Sequence, residues 1–221
     1  MNDDGSGTSL VLELMASASK YKPKLKLRFA FWGAEENGLV GSEYYVDTLS
    51  TEELHNIRAY NNFDMVSKGY FGVFDGDGST HGLAAPEGSA VLEKMFTQYL
   101  EGREGVTVTP AVFTGGSDYA SFMAKGIPVG GLHTGTGVEQ DPCYHQECDT
   151  YDNVNATVLT KNAKAAGYVM ARLANEGKKL IPRWNTTLEA RGMGAVRMGE
   201  GGIEWGLEEG ARHTGCGQSD I

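Results

Sequence analysis

Apolar and polar residues follow two different periods along this chain, and the periods predict a succession of helices and strands. Apolar residues three and four positions apart predict helices over residues 8–19, 42–57, 87–101, 115–123 and 153–176. Alternating or continuously apolar runs predict strands over residues 24–30, 57–66, 70–74, 107–113 and 127–132. Because strands that alternate with helices form covered sheets, we predict an α/β fold. The expected core is a mixed, largely parallel twisted sheet with helices on both faces.

The periodic pattern ends before the carboxyl terminus, and this predicts a boundary. Residues 1–180 carry the helices and strands, whereas residues 181–221 are rich in glycine and have no apolar stripe. A segment without an apolar face cannot offset the entropy lost on ordering. We therefore expect one folded domain over residues 1–180 and a disordered tail over residues 181–221.

Composition excludes some classes of protein. With 221 residues, 40% hydrophobic and 22% charged, the chain can build one sizeable core and resembles soluble globular proteins. A net charge of -10 argues against a nucleic-acid partner, because phosphate binding needs clustered Lys and Arg. No apolar run is long enough to cross a bilayer. Met1 is followed directly by polar residues, so no signal peptide is visible.

Cysteine and asparagine positions point to a secretory protein. Cys143 and Cys148 are close enough in sequence to close a small loop, and Cys216 stands alone. Residues 155–157 and 185–187 are N-glycosylation sequons, which are compatible with a glycoprotein. A disulfide between the first two cysteines would indicate an oxidising compartment, in conflict with the missing export signal.

Two adjacent carboxylates, Glu35 and Glu36, follow the predicted strand of residues 24–30. Open α/β sheets place their ligands at the carboxyl ends of strands. Adjacent glutamates in a loop point in different directions, so one can bind a metal while the other handles a proton. The alternative is a solvated acidic turn, since exposed carboxylates are the rule.

Further metal-ligand types stand at strand ends or in loops: Asp3, Asp64 and His145. Carboxylate oxygen and imidazole nitrogen are ligands that Zn²⁺ accepts. A carboxylate can bridge two ions that activate one water, and a carboxylate off the metals must then take the proton. Glu35 fits that second role. His145 taken alone can equally be a structural or exposed histidine.

Three other polar positions have ordinary interpretations. Asp118 opens a predicted helix, and we interpret it as a helix cap. His133 follows a buried strand and is interpreted as a packed strand-end residue. Residues 75–78, Asp-Gly-Asp-Gly, partly resemble a calcium-binding loop but lack its distal glutamate. We interpret them as a surface turn.

Five segments form a combined signal: Asn2-Asp3-Asp4-Gly5-Ser6-Gly7, Phe31-Trp32-Gly33-Ala34-Glu35-Glu36-Asn37-Gly38, Asn62-Phe63-Asp64-Met65, Gly116-Ser117-Asp118-Tyr119-Ala120-Ser121-Phe122 and Cys143-Tyr144-His145-Gln146-Glu147-Cys148-Asp149. In this order and spacing, over residues 1 to about 175, they resemble the co-catalytic di-zinc aminopeptidases. That family includes secreted leucyl aminopeptidases and aminopeptidase Y. The resemblance implies a zinc exopeptidase-like fold and a zinc peptidase catalytic domain over residues 1–180.

The resemblance also implies a role for each matched residue. Asp3 would bridge two zinc ions. Asp64 would bind one zinc, and Glu36 with His145 the other. Glu35 would be the general base that deprotonates a zinc-bound water and later protonates the leaving amine.

Tyr144 matches a tyrosine that helps to stabilise the oxyanion. Cys143 and Cys148 match a disulfide that holds the loop carrying this tyrosine and His145 in place. The implied activity removes N-terminal residues, apolar ones, from peptides with a free N-terminus. We expect a monomer whose full-length form is secreted to the extracellular space or the vacuolar lumen.

One part of the family pattern is missing. In the family, a histidine on a strand upstream of the Asn-Asp motif completes the first zinc site, and here the chain begins at Met1. We therefore expect a chain truncated at its amino end that binds one zinc well and the second poorly. A single-zinc relative of the same fold, such as a glutaminyl cyclase or a carboxypeptidase, and an inactive fragment remain alternatives.

Overall fold

The computed structural model describes residues 1–83, 85–181 and 183, with the backbone of residues 198–199 and 202–203. The helices are α1 (Gly7–Ala18), α2 (Val40–Thr48), α3 (Thr51–Asn56), α4 (Ser89–Glu104), α5 (Tyr119–Ala124) and α6 (Ala156–Leu180). The strands are β1 (Tyr60–Phe63), β2 (Phe71–Phe74), β3 (Val108–Ala111), β4 (Val129–His133), β5 (Met198–Gly199) and β6 (Gly202–Ile203). Within the described part, no helix combines the length and apolar character that a membrane span needs. The predicted tail, residues 181–221, falls almost entirely outside the described residues.

The helix predicted over residues 42–57 is two helices, α2 and α3. Ser50 separates them because it begins a capping box. Its side chain accepts a hydrogen bond from the backbone N–H of Glu53 at 3.3 Å, and its own N–H donates to the Glu53 carboxylate at 2.9 Å. The apolar pattern continues across this N-cap, so it predicted one helix where the structure has two.

The four-stranded sheet has the order β1-β4-β2-β3. β1 pairs parallel with β4, β2 pairs parallel with β3, and β2 pairs antiparallel with β4. The prediction of a mixed, largely parallel sheet is confirmed. Because β1 and β4 run in the same direction, Asp64 after β1 and His133 at the end of β4 meet at one edge. The Nδ1 atom of His133 lies 2.9 Å from the backbone oxygen of Asp64.

Helices cover both faces of this sheet, as predicted. Helices α1, α4 and α6 pack on one face, around Leu10, Leu14, Val73, Leu92, Phe96, Leu132 and Val169. Helices α2 and α5 pack on the other, around Val46, Phe74, Phe113, Tyr119, Phe122, Ile127 and Val129. Each strand therefore buries side chains on both sides, which anchors the loops at its ends.

The strand predicted over residues 24–30 is not formed. Its burial still alternates, with Leu25, Leu27 and Phe29 less exposed than Lys26 and Arg28. A strand needs a neighbouring strand to pair with, and among the described residues this segment pairs with none; the Leu25 N–H donates instead to Ala174 O of α6 at 2.9 Å. A cavity of about 1090 Å³ is lined both by residues 25–32 and by residues 56–64, including β1. The segment therefore faces β1 across open space instead of pairing with it.

Candidate metal centre

The loop before α1 carries two acidic residues, Asp3 and Asp4, joined by a cis peptide bond. The Asp149 carboxylate accepts hydrogen bonds from the backbone N–H groups of Asn2 at 2.8 Å and Asp3 at 3.0 Å. The Asp4 carboxylate accepts from the backbone N–H of Met65 at 3.1 Å. The loop is thereby tied both to the end of β1 and to the disulfide-containing loop.

Glu35 and Glu36 lie in a single 3-10 turn between two left-handed residues. Ala34 before the turn has a φ of 58°, and Gly38 after it has a φ of 93°. The left-handed conformation at both ends forces the backbone to turn sharply. The Trp32 ring packs against the core that α2 and α5 form with the sheet, and it anchors the loop. The carboxylates of Glu35 and Glu36 therefore project from a turn that is held by the core, and they line the cavity of about 1090 Å³.

The loop of residues 143–149 carries His145, whose φ of 54° is also left-handed. The structure contains the predicted disulfide between Cys143 and Cys148. The buried Asp141 carboxylate accepts from the backbone N–H of Cys143 at 3.0 Å and from the Asn2 side chain at 2.8 Å. One acidic side chain therefore connects this loop to the loop before α1.

These three loops bring Asp3, Glu36 and His145 together. The His145 Nε2 atom lies 3.2 Å from Asp3 Oδ2 and 3.1 Å from Glu36 Oε1, and all three ligand atoms lie within 4.8 Å of one another. Two ligands of one tetrahedral zinc ion are about 3.4 Å apart, given bonds of 2.0–2.2 Å. One imidazole and two carboxylates at these separations fit a zinc ion.

Asp64 lies beside this group but is not one of its three members. Its Oδ2 atom accepts a hydrogen bond from the Ser117 hydroxyl at 2.7 Å. Its Oδ1 atom is buried and has no partner. A buried carboxylate oxygen without a donor is costly, and a cation at this position would satisfy it.

Asp118 occupies the N-cap position of α5, but its side chain makes no capping hydrogen bond. The interpretation as a helix cap is therefore wrong. The Asp118 Oδ1 atom is buried without a partner, and the residue lines the same cavity as Asp64 and Glu35. A residue at the start of a helix caps it only when its side chain accepts a hydrogen bond from the backbone of that helix. The Asp118 side chain does not.

Burial and mutual repulsion raise the pKa of the carboxyl groups in this centre. Burial, followed by the charge of Asp64, raises the pKa of Asp4 to about 9 and that of Glu35 to about 8. Burial, followed by the charge of Glu36, raises the pKa of Asp3 to about 6. Among the described residues, no Lys or Arg forms an ion pair with any of these groups. The centre therefore has the charge imbalance that a bound cation would relieve.

Tyr144 stands beside this cluster. Its ring packs on the His145 imidazole with a centroid separation of 3.9 Å. Burial and the charge of Asp3 raise the pKa of the Tyr144 hydroxyl to about 12, so it is protonated near neutral pH and can donate a hydrogen bond. All six residues predicted for catalysis or metal binding thus lie in or next to one centre.

The sequence did not identify every residue of the centre. Asp4 lies inside a recognised motif, so its position was available although its role was not. Asp141 carries no local signal, because two of its three partners, Asn2 and Asn153, lie 139 and 12 residues away. His133 is a packed residue at a strand end, as interpreted, and it does not belong to the group of three.

Comparisons with known proteins find a matching family model and several related enzymes. The model of a protein family described as Peptidase family M28 matches residues 1–170. The chain is 39% identical over 205 residues to a probable leucine aminopeptidase 2 of Aspergillus oryzae, covering 85% of this chain and 41% of that protein. It is 41% identical over 196 residues to an aminopeptidase of Pseudomonas aeruginosa, covering 79% and 36% respectively.

Solved structures give the same result. An aminopeptidase from Aneurinibacillus sp. strain AM-1 matches with a TM-score of 0.67 and 29% identity, over 79% of this chain and 40% of that one. A zinc aminopeptidase from Bacillus subtilis matches with a TM-score of 0.68 and 25% identity, over 80% and 43%. The chain spans about two fifths of the length of the relatives that it matches.

Proposed function

Since the chain belongs to peptidase family M28, we propose that it acts as a zinc-dependent aminopeptidase that removes apolar N-terminal residues from peptides. The observation that carries this proposal is the convergence of Asp3, Glu36 and His145 from three separate loops, with contacts of 3.1 and 3.2 Å. The relatives named as aminopeptidases support the reaction type.

The donor set supports two zinc positions of different strength. We assign Glu36 and His145 to one position, Asp64 to the other, and Asp3 as the bridge between them. The first position has three close ligand groups, whereas the second has two, Asp3 and Asp64, and one carboxylate oxygen of Asp64 is buried without a partner. Zinc, when bound, supplies a positive charge that polarises the scissile carbonyl and lowers the pKa of water.

Glu35 is the residue that we assign as general base. It adjoins Glu36 in the chain but is not among the three close ligand groups, so its carboxylate stays available for protons. A base works best when its pKa lies near the working pH, and burial moves the pKa of Glu35 towards that range. Tyr144 is assigned to donate a hydrogen bond to the oxyanion that forms from the carbonyl.

The same acidic surroundings favour a positively charged substrate end. Asp118 and Glu35 line the cavity together with apolar residues, including Trp32 and Phe122. A free α-ammonium group is attracted by such carboxylates, and an apolar first side chain can be buried beside it. The disulfide supports secretion to an oxidising compartment, extracellular or vacuolar. We propose that the protein acts as a monomer.

The test compares two substrates that differ only at the amine. The zinc-loaded 221-residue chain is assayed with leucine p-nitroanilide and with N-acetyl-leucine p-nitroanilide. We expect zinc-dependent hydrolysis of the first only, lost on chelation and restored by zinc. Cleavage of the blocked substrate, or activity that survives chelation, would contradict the proposal. A peptide with N-terminal glutamine serves as a control for the cyclase alternative and should lose its first residue without cyclising.

A further inference from the structure

A second carboxylate cluster lies at the opposite end of the strands from the metal centre. Because β2 runs antiparallel to β4, the carboxyl end of β2 points away from the strand ends that carry Asp64 and His133. Asp75 and Asp77 follow β2, and Glu93 lies in the second turn of α4. Their ligand oxygens all lie within 4.8 Å of one another.

Asp75 provides an observation that is independent of this clustering. The residue is only 2% exposed. Its Oδ2 atom accepts hydrogen bonds from the backbone N–H groups of Thr80 at 3.1 Å and His81 at 2.7 Å. Its Oδ1 atom is buried and has no partner. A buried carboxylate oxygen without a donor requires an explanation, and a bound cation is one.

The surrounding side chains do not neutralise the cluster. Among the described residues, none of the ion pairs involves Asp75, Asp77 or Glu93. The Glu93 carboxylate accepts a hydrogen bond from the backbone N–H of Asp77 at 3.0 Å. Burial raises the pKa of Glu93, and the charges of the two aspartates add to that effect. Three carboxylates therefore face one another without a balancing charge.

Close packing of the turn on α4 brings a carboxylate from outside the loop to the two aspartates. A Cβ atom at Gly76 would lie 2.4 Å from the Ser89 backbone oxygen, so only glycine allows this approach. The approach brings residues 75–78 to the face of α4 that carries Glu93. The sequence-based interpretation as a surface turn considered only ligands within the loop itself.

We propose that Asp75, Asp77 and Glu93 bind one calcium ion that links the end of β2 to α4. Calcium takes six to eight oxygen ligands at 2.3–2.6 Å, so two ligands on opposite sides of the ion lie about 4.8 Å apart. The observed separations allow all three carboxylates to reach one ion. Asp77 is exposed, so water can complete the coordination shell. Exclusively oxygen ligands distinguish this site from the zinc-type donors of the metal centre.

The test measures calcium binding to the zinc-loaded, full-length chain. Equilibrium dialysis with ⁴⁵CaCl₂ should give one calcium per chain with a Kd between about 10⁻⁵ and 10⁻³ M. Calcium should also raise the midpoint of thermal unfolding. Asp77→Asn and Glu93→Gln should each weaken binding at least tenfold and remove the thermal shift. Glu101→Gln, an exposed glutamate on the same helix, is the matched control and should leave both unchanged.

Three results would overturn the proposal. The first is no stoichiometric calcium at millimolar concentration. The second is unchanged calcium binding by Asp77→Asn; because Asp77 is exposed, this variant should fold, and a loss of binding would report on the site itself. The third is release of zinc as calcium binds, measured in the same samples, which would place calcium in the metal centre instead.

Discussion

Asp141 shows how one buried side chain determines the geometry of the metal centre. Its carboxylate accepts three hydrogen bonds, from the Asn2 side chain at 2.8 Å, the Cys143 N–H at 3.0 Å and the Asn153 side chain at 3.0 Å. The donors belong to segments that carry Asp3, the disulfide and the approach to α6. A residue that binds no metal therefore positions the residues that we assign as ligands.

Replacing this carboxylate should weaken both the fold and metal binding. Asp141→Asn puts an amide N–H₂ among groups that are themselves donors, so we expect a loss of about 2–4 kcal/mol in the free energy of unfolding. Zinc affinity should fall by about 10- to 100-fold, as for residues that orient ligands. Urea unfolding and competition with a chromophoric chelator measure the two effects. Asp152→Asn, at an exposed aspartate nearby, should change neither; equal effects of both variants would contradict the assignment.

Substitution of Glu35 should lower catalysis without changing zinc binding, because we assign Glu36, and not Glu35, as a zinc ligand. Glu35→Gln removes the proposed base but no proposed ligand, so kcat should fall by about 10²- to 10⁴-fold while zinc content stays constant. Steady-state kinetics and elemental analysis of the same preparation give both quantities. Glu52→Gln, at an exposed glutamate on α3, is the control. If Glu35→Gln also lost zinc, Glu35 would be a ligand and the assignment would fail.

Candidate site residues were predictable where a local motif carries them. The Glu35-Glu36 pair, Asp3, Asp64 and the His145 loop each stand in a recognisable segment, and the structure brings these segments together. Asp141 could not be predicted, because two of its three donors, Asn2 and Asn153, lie 139 and 12 residues away in the chain. Asp118 has the local signature of a cap, and only tertiary structure reveals that its side chain does not turn back to α5.

At the scale of elements, the pairing of β1 with β4 supports the metal centre. Gly131 of β4 lies opposite Asn62 of β1 and has a φ of 131°. The Asn62 side chain donates to the Ser117 hydroxyl at 2.8 Å, and that hydroxyl donates to Asp64 at 2.7 Å. A shift in the pairing of these strands would therefore reach the Asp64 carboxylate.

Gly131→Ala should disrupt this arrangement. A Cβ atom there would lie 2.0 Å from the Asn62 backbone oxygen, and the positive φ adds strain. We expect a loss of about 3 kcal/mol or more in the free energy of unfolding, measured by urea denaturation. Gly102→Ala in α4, where a new Cβ meets nothing within 4 Å, should instead stabilise the protein by about 0.5–1 kcal/mol. Similar effects of the two variants would contradict the argument.

The elements themselves were largely predictable, since periodicity within a segment is a local property. The helices and four of the five strands lie where the pattern predicted them, with boundaries displaced by a few residues. Residues 24–30 have the alternation of a strand but no neighbour to pair with. Strand formation depends on a partner elsewhere in the chain, and sequence alternation cannot supply that information.

At the scale of the whole molecule, the carboxyl groups of the metal centre make the stability of the metal-free protein depend on pH. The chain carries a net charge of -10, and the centre holds several half-buried carboxyl groups. Their folded-state pKa values lie above the ordinary values, so the folded state favours their neutral forms. This contribution to stability is complete below about pH 4 and is lost as pH rises through 8–9.

The metal-free chain should therefore melt at lower temperature as pH rises from 5 to 9 (about the window of these groups). Zinc replaces the protons as the balancing charge, so its stabilising effect should grow over the same range. Thermal scans of EDTA-dialysed protein, with and without added zinc, measure both trends. A melting temperature of the metal-free chain that rises with pH, or a zinc effect that shrinks, would contradict this account.

The central claim, that the loops carrying Asp3, Glu36 and His145 form a zinc site, is tested most directly by the zinc content of the purified chain. The measurement is elemental analysis of the 221-residue protein after dialysis against trace zinc. We predict at least one zinc per chain, and close to two if the Asp64 position is also filled. A chain that retains no zinc under these conditions would contradict the assignment of the metal centre and the aminopeptidase activity that depends on it.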